Sequence, residues 1–254
     1  MVSSLLNALL YFPSRAIMQT PAVAGLSHRD LSFQSDDGET LHGWWVDHRG
    51  SPVGHVLLCH GNAGNVGDRV VHASLLAAEG FDVVLFDYRG YGRSSGRASE
   101  GGTYRDARAA LRCLLGQPSV DASRVIYVGE SLGGAVALEL ALERPPASLV
   151  LISTFTSVRD LARIHYPFIP AVLVPDAYPS LQRVRDLRAP VLLVHGEDDE
   201  IVPLSHCKTL FEAATGPKRM RTLPGVGHND LFAHAGAEVA QEIAAWAKRH
   251  GPWG

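Results

Sequence analysis

The sequence predicts a doubly wound α/β domain, with a mostly parallel sheet, helices on both faces, an antiparallel hairpin at the N-terminal edge and a short lid. Three observations predict it. Short, continuous apolar runs recur along the chain, each is followed by a stretch of helical length, and the residues able to do chemistry stand just after the runs. Such runs suit strands covered on both faces, and their spacing suits right-handed crossovers. Ligands of such sheets bind beyond the carboxyl ends of the strands. No internal repeat, low-complexity tract or charged linker divides the chain, so one domain is expected over 26–254, after an extension over 1–25.

The extension carries Leu5, Leu6, Leu9, Leu10, Tyr11 and Phe12, read as a short helix packed on the domain. A surface-lying membrane contact through residues 3–12 is the second reading. Ala22-Val23-Ala24 resembles a signal-peptide cleavage site, but no lysine or arginine precedes the apolar stretch. Pro13 ends that stretch well short of the ~20 residues that span a bilayer. Between residues 30 and 48, Leu31 and Phe33 alternate with polar neighbours, and Leu41, Trp44 and Val46 follow the Asp37-Gly38 turn, which predicts the hairpin.

Parallel strands are then expected at 55–59, 83–86, 125–128, 149–152 and 191–194, and helices at 69–79, 104–115, 132–142, 205–214 and 239–248. The segment at about 155–188 leaves room for a short lid. Its Tyr166, Phe168, Ile169, Val172, Leu173 and Val174, punctuated by Pro167, Pro170 and Pro175, either wall an acyl pocket or pack a helical connection. In the first case Tyr166 and Phe168 are the substrate-binding residues.

Composition narrows the partners. The chain has 254 residues, 46% hydrophobic and 19% charged, with a formal net charge of -3. That is an ordinary globular balance, and it supplies no basic field for a nucleic acid. Cys59, Cys113 and Cys207 are an odd set without paired spacing, expected as free thiols in a reducing, cytoplasmic setting.

After the apolar run at 125–128 comes Gly129-Glu130-Ser131-Leu132-Gly133, then an alanine- and leucine-rich helical stretch. G-x-S-x-G between strand and helix is the pattern of a nucleophile elbow. A sharp turn strains the central residue, and glycines on its flanks leave room for strand and helix to approach. Ser131 would then stand at a helix N-terminus, where the dipole favours developing negative charge.

A serine hydroxyl needs a base, usually an imidazole held in one tautomer by a carboxylate. The elbow resembles that of α/β hydrolases, in which the chain order is serine, acid, histidine. Four histidines follow the acid candidates: His206 and His234 in or near helices, His250 at the C-terminus, and His228 in the glycine-rich loop from Leu223 to Asp230. His228 is the expected base. The acid lies among Glu197, Asp198, Asp199 and Glu200, where composition cannot choose. Strand-to-loop register is the better guide, and the preference for Asp199 over Asp198 comes mostly from the family resemblance given below. The oxyanion hole is expected from the backbone N–H of Leu132 and that of Asn62, in the glycine-rich loop His60-Gly61-Asn62-Ala63-Gly64-Asn65. His60 reads as a brace for that loop. In the stretch from Asp87 to Gly96, Asp87 and Arg89 are expected to pair with one another as a structural brace.

Together these segments resemble the α/β-hydrolase superfamily, and more closely its small serine hydrolases related to protein depalmitoylases. The likeness rests on the His60–Asn65 loop, Asp87-Tyr88-Arg89-Gly90-Tyr91-Gly92 with Ser95-Gly96, the elbow, His195-Gly196 with Asp199 and Val202-Pro203, and Gly227-His228-Asn229-Asp230. In that family the third residue after His-Gly is the triad acid, which falls on Asp199. The resemblance implies an α/β-hydrolase fold and hydrolysis of an ester through an acyl-enzyme, with no metal or organic cofactor. A thioesterase is the alternative, ahead of a peptidase or a noncatalytic binding protein. The depalmitoylases carry a cysteine-rich N-terminus, whereas no cysteine precedes Cys59 here, so activity on lipidated proteins is not implied.

Overall fold

A computed structural model describes residues 10–252. Of the apolar stretch from Leu5 to Phe12 expected as a short helix, the part from Leu5 to Leu9 lies outside the described residues, as does most of the membrane-contact stretch. Leu10 is helical, and from Tyr11 onward the chain is not. Tyr11 is buried, and Phe12–Pro13 forms a short parallel pairing with Ala63–Gly64.

Among the described residues the main sheet has eight strands. In chain order they are β1 (His28–Gln34), β2 (Thr40–Val46), β3 (Gly54–Cys59), β4 (Phe81–Phe86), β5 (Val125–Glu130), β6 (Ser148–Ile152), β7 (Val191–Gly196) and β8 (Lys218–Leu223). Their spatial order is β8-β7-β6-β5-β3-β4-β2-β1. β2 runs antiparallel to β1 and β4, and the remaining pairs are parallel. The hairpin pairs Phe33 with Leu41 and Leu31 with Gly43, closing at the Asp37-Gly38 turn with Gly38 at φ +88°.

Strand periodicity divides the core between the two faces. Leu57 and Cys59 join a cluster under α2 (Glu100–Leu115), α3 (Leu132–Glu143) and α6 (Leu204–Ala213). Val56 and Leu58 join the other, under α1 (Val70–Ala78) and α7 (Leu231–His250). The lid segment holds α4 (Val158–His165) and α5 (Ser180–Val184). Among the described residues no helix is long and apolar enough to cross a membrane.

Three elements depart from expectation. β8 reads Lys-Arg-Met-Arg-Thr-Leu, an edge strand whose charges mask it; Arg219 and Arg221 pair with Glu242 and Glu238 of α7. α7 begins eight residues early because Gly236 interrupts the apolar pattern. A side chain there would meet Leu75 Cδ1 of α1 at 2.7 Å, so the glycine permits close helix packing. α2 begins at Glu100, capped by Ser99, whose hydroxyl accepts from Gly102 N at 3.2 Å.

Candidate active site

The elbow takes its shape from tight packing. Ser131 sits between β5 and α3 at φ +52° and ψ −116°, outside the regions a serine ordinarily occupies. Its N–H donates to Ile152 O of β6 at 2.8 Å, which anchors the turn to the neighbouring strand. A Cβ at Gly129 would meet Gly134 Cα at 2.5 Å, and one at Gly133 would run into the Cys59 carbonyl. The strain, of order 1–3 kcal/mol, is held by strand, helix and β3 closing around it.

β7 delivers the acid loop. Of the four carboxylates, Glu197, Asp198 and Glu200 are exposed and Asp199 is buried. Asp199 Oδ1 accepts from Ile201 N at 3.0 Å and Val202 N at 2.7 Å, while Oδ2 accepts from His228 Nδ1 at 2.7 Å. Burial pushes the Asp199 carboxyl up, but the hydrogen bond and charge of His228 outweigh it and hold the group below the usual carboxylate range. With Nδ1 as donor, His228 Nε2 is the acceptor. His195 braces the loop from beneath: its Nε2 donates to Val202 O at 2.7 Å, and burial keeps the ring below its ordinary pKa.

The loop after β3 is held from several sides. His60 Nδ1 donates to Gly61 O at 2.7 Å, Tyr88 Oη to His60 O at 3.1 Å, and Tyr91 Oη to Asn62 O at 2.7 Å. The N-terminal segment clasps the same residue, Phe12 N donating to Asn62 O and Asn62 Nδ2 to Leu10 O, both at 2.9 Å. His60 is buried, which lowers its pKa to about 4.

These elements gather Ser131, Asp199, His228 and the Asn62 loop at the carboxyl edge of the sheet. Asp199 and His228 are in contact; Ser131 Oγ and His228 Nε2 form no hydrogen bond with one another. His228 lines a cleft of about 110 Å³ with Glu130 and Ile152, the residue before the serine and the acceptor of its N–H. Tyr166 and Phe168 are 52% and 78% exposed, edge to face at 6.2 Å, so they pack no core. Their neighbour His165 ties the lid to the acid loop through Ile201 O at 2.7 Å.

Asp87 and Arg89 do not pair with one another. Asp87 takes Val66 N at 2.9 Å and His42 Nδ1 at 3.2 Å. Arg89 reaches instead to Asp37 and Asp106, because its side chain leaves the opposite side of the loop.

Sequence reasoning missed Glu130, Arg69 and His72. Arg69 Nε donates to Glu130 Oε2 at 2.7 Å, and His72 Nε2 lies 3.4 Å from the same oxygen. Burial would raise the Glu130 carboxyl, yet Arg69 and His72 hold it far below the usual range. The available signal was a charge between an apolar strand and an apolar helix, a position that demands a partner. Among the described residues no three His, Cys, Asp or Glu side chains converge as metal ligands.

Comparison with known proteins agrees with this fold. Residues 54–173 match the sequence profile of the alpha/beta hydrolase fold. The chain is 46% identical to the uncharacterized protein Rv2307c of Mycobacterium tuberculosis over 87% of its own length and 80% of that protein. It is 32% identical to the alpha/beta hydrolase domain-containing protein WAV2 of Arabidopsis thaliana, over 96% of the chain and 88% of WAV2. Among solved structures it resembles the esterase domain of a Rhodothermus marinus protein, with a TM-score of 0.68 and 26% identity, over 88% of this chain and 99% of that domain.

Proposed function

Since the chain belongs to the α/β-hydrolase fold family, we propose that it is a serine hydrolase cleaving carboxylic esters, with Ser131 as nucleophile, His228 as base and Asp199 as the orienting acid. The observation that carries this reading is the 2.7 Å bond from His228 Nδ1 to a buried Asp199, at the same sheet edge as a strained serine. The esterase named among the structural relatives supports it.

In the acylation step Ser131 Oγ bonds to the ester carbonyl carbon while its proton passes to His228 Nε2. Collapse of the tetrahedral intermediate breaks the bond to the alcohol oxygen, and His228 gives that oxygen the proton. Water then attacks the acyl-enzyme, loses its proton to His228 and releases the acid, and the proton returns to Ser131. Asp199 keeps Nε2 unprotonated in the resting state and stabilises the imidazolium when it forms. The N–H groups of Leu132 and Asn62 receive the oxyanion, and a donor of this kind is worth about 10² to 10³ in turnover. Contact between Ser131 Oγ and Nε2 forms on substrate binding, since catalytic hydrogen bonds of this kind tighten in the Michaelis complex.

A fluorophosphonate probe tests the reading. Wild type labels at a single serine and hydrolyses short-chain esters, and Ser131→Ala does neither. A folded wild-type protein that fails to label is a binding protein on this fold. Matched oxygen-ester, thioester and amide substrates separate an esterase from a thioesterase or a peptidase.

A further inference from the structure

Resting on the serine-hydrolase reading, we propose that the cleft beside His228 seats the leaving group and takes a compact polyol, so that the substrate is an acyl ester of a small alcohol with further free hydroxyls. The direction follows from the proton. A departing alkoxide receives it from His228 and therefore sits on the histidine's side of Ser131. The cleft on that side is lined by His228, Asn229, Arg69, His72, Glu130 and Asp68. Ser131 does not line it but stands close by, across Gly61 from Arg69. A Cβ built at Gly61 would lie 3.3 Å from Arg69 Nη2 and 3.7 Å from Ser131 Cβ, so guanidinium and serine flank one glycine.

Its size and chemistry choose the class. The cleft is small, about 110 Å³, and open to solvent, so it seats a compact group while its lining chooses the chemistry. Arg69 spends Nε on Glu130, and neither of its Nη atoms makes a hydrogen bond among the described residues. His72 is buried, stacked on Phe232 at 3.6 Å, and its Nδ1 has no partner. Carboxylate acceptors stand beside these groups, so the cleft offers donors and acceptors together, and a hydroxyl is both. An apolar alcohol would leave those groups dry and unpaired. Asp68 and Glu130 outnumber Arg69 in charge, which turns away a phosphate or carboxylate. The apolar lid residues Tyr166, Phe168 and Val172 do not line this cleft and remain for the acyl chain.

The test measures kcat/KM of the full chain on three octanoyl esters: the glycerol monoester, the methyl ester and the glycerol phosphate ester. Active serine in each sample is counted by fluorophosphonate labelling. Wild type should prefer the glycerol monoester by about tenfold over both others. Arg69→Met, and separately the surface change Asn229→Ala, should pull the glycerol-to-methyl ratio toward one. Equal turnover of methyl and glycerol esters by labelled enzyme, or a ratio untouched in both variants, overturns the polyol assignment and leaves the serine hydrolase standing. Preference for the phosphate ester overturns it as well. Absence of labelling in wild type removes both readings.

Discussion

The Arg89 guanidinium lies 2.9 Å from Asp106 Oδ1, with the arginine side chain 7% exposed and the aspartate fully covered. Asp106 also accepts the Arg89 N–H at 2.8 Å, so helix α2 holds both the backbone and the side chain of the loop after β4. Removing one partner of a buried pair strands the other charge, at a cost of about 3–5 kcal/mol. Asp106→Asn should lower stability toward the bottom of that range, because Arg89 keeps Asp37. Denaturant unfolding checks this, and a midpoint equal to wild type would contradict it.

The elbow glycines give a paired prediction. Gly133→Ala pushes a methyl into the Cys59 carbonyl, with backbone on every side, and should leave little folded protein. Gly101, in the first turn of α2, has nothing within 4 Å of its Cβ position. Gly101→Ala should stabilise by roughly 0.5–1 kcal/mol, since alanine loses less backbone entropy in a helix. Thermal melts of the two variants read both signs at once.

Asp198 and Asp199 are neighbours with opposite environments, one exposed and one buried against His228. Asp199→Asn retains an oxygen for Val202 N but loses control of the imidazole tautomer. Turnover on a short ester should drop by about 10³ to 10⁴, while Asp198→Asn stays within about threefold of wild type. Comparable losses in the two variants would mean that the acid has been misplaced.

How far the sequence carried this fold and site depends on which physical signal each element leaves. β3, β5, β6 and β7 are apolar on both faces, so their runs stood out and their starts fell within a residue of expectation. β8 owes its place to pairing with β7 and to ion pairs with α7, neither of which one segment's pattern can announce. Asp199, which composition could not pick from four adjacent carboxylates, was singled out by the family resemblance, and in the structure it is the buried one, bonded to His228. The Asp87–Arg89 expectation failed because proximity in sequence says nothing about which side of a loop a side chain leaves. Glu130 fills a variable position of the G-x-S-x-G pattern, and its role emerges only from Arg69 and His72, which are far from it in sequence.

Buried histidines set the acid limit of stability. His60, His72, His195 and His206 are all held below their ordinary pKa by burial, His60 at about 4. The folded state therefore binds fewer protons than the unfolded chain, and stability falls as pH drops from about 6.5, the unfolded histidine value, through about 4. His60 alone accounts for roughly 3 kcal/mol across that window. Asp199 and Glu130, with lowered values, add to the loss at its acid end, and Asp82 and Asp106, raised by burial, oppose it there. His60→Asn keeps a donor for Gly61 O but has no proton to gain, so its unfolding midpoint should decline less steeply between pH 6.5 and 4. Parallel slopes for wild type and variant would remove His60 from this account.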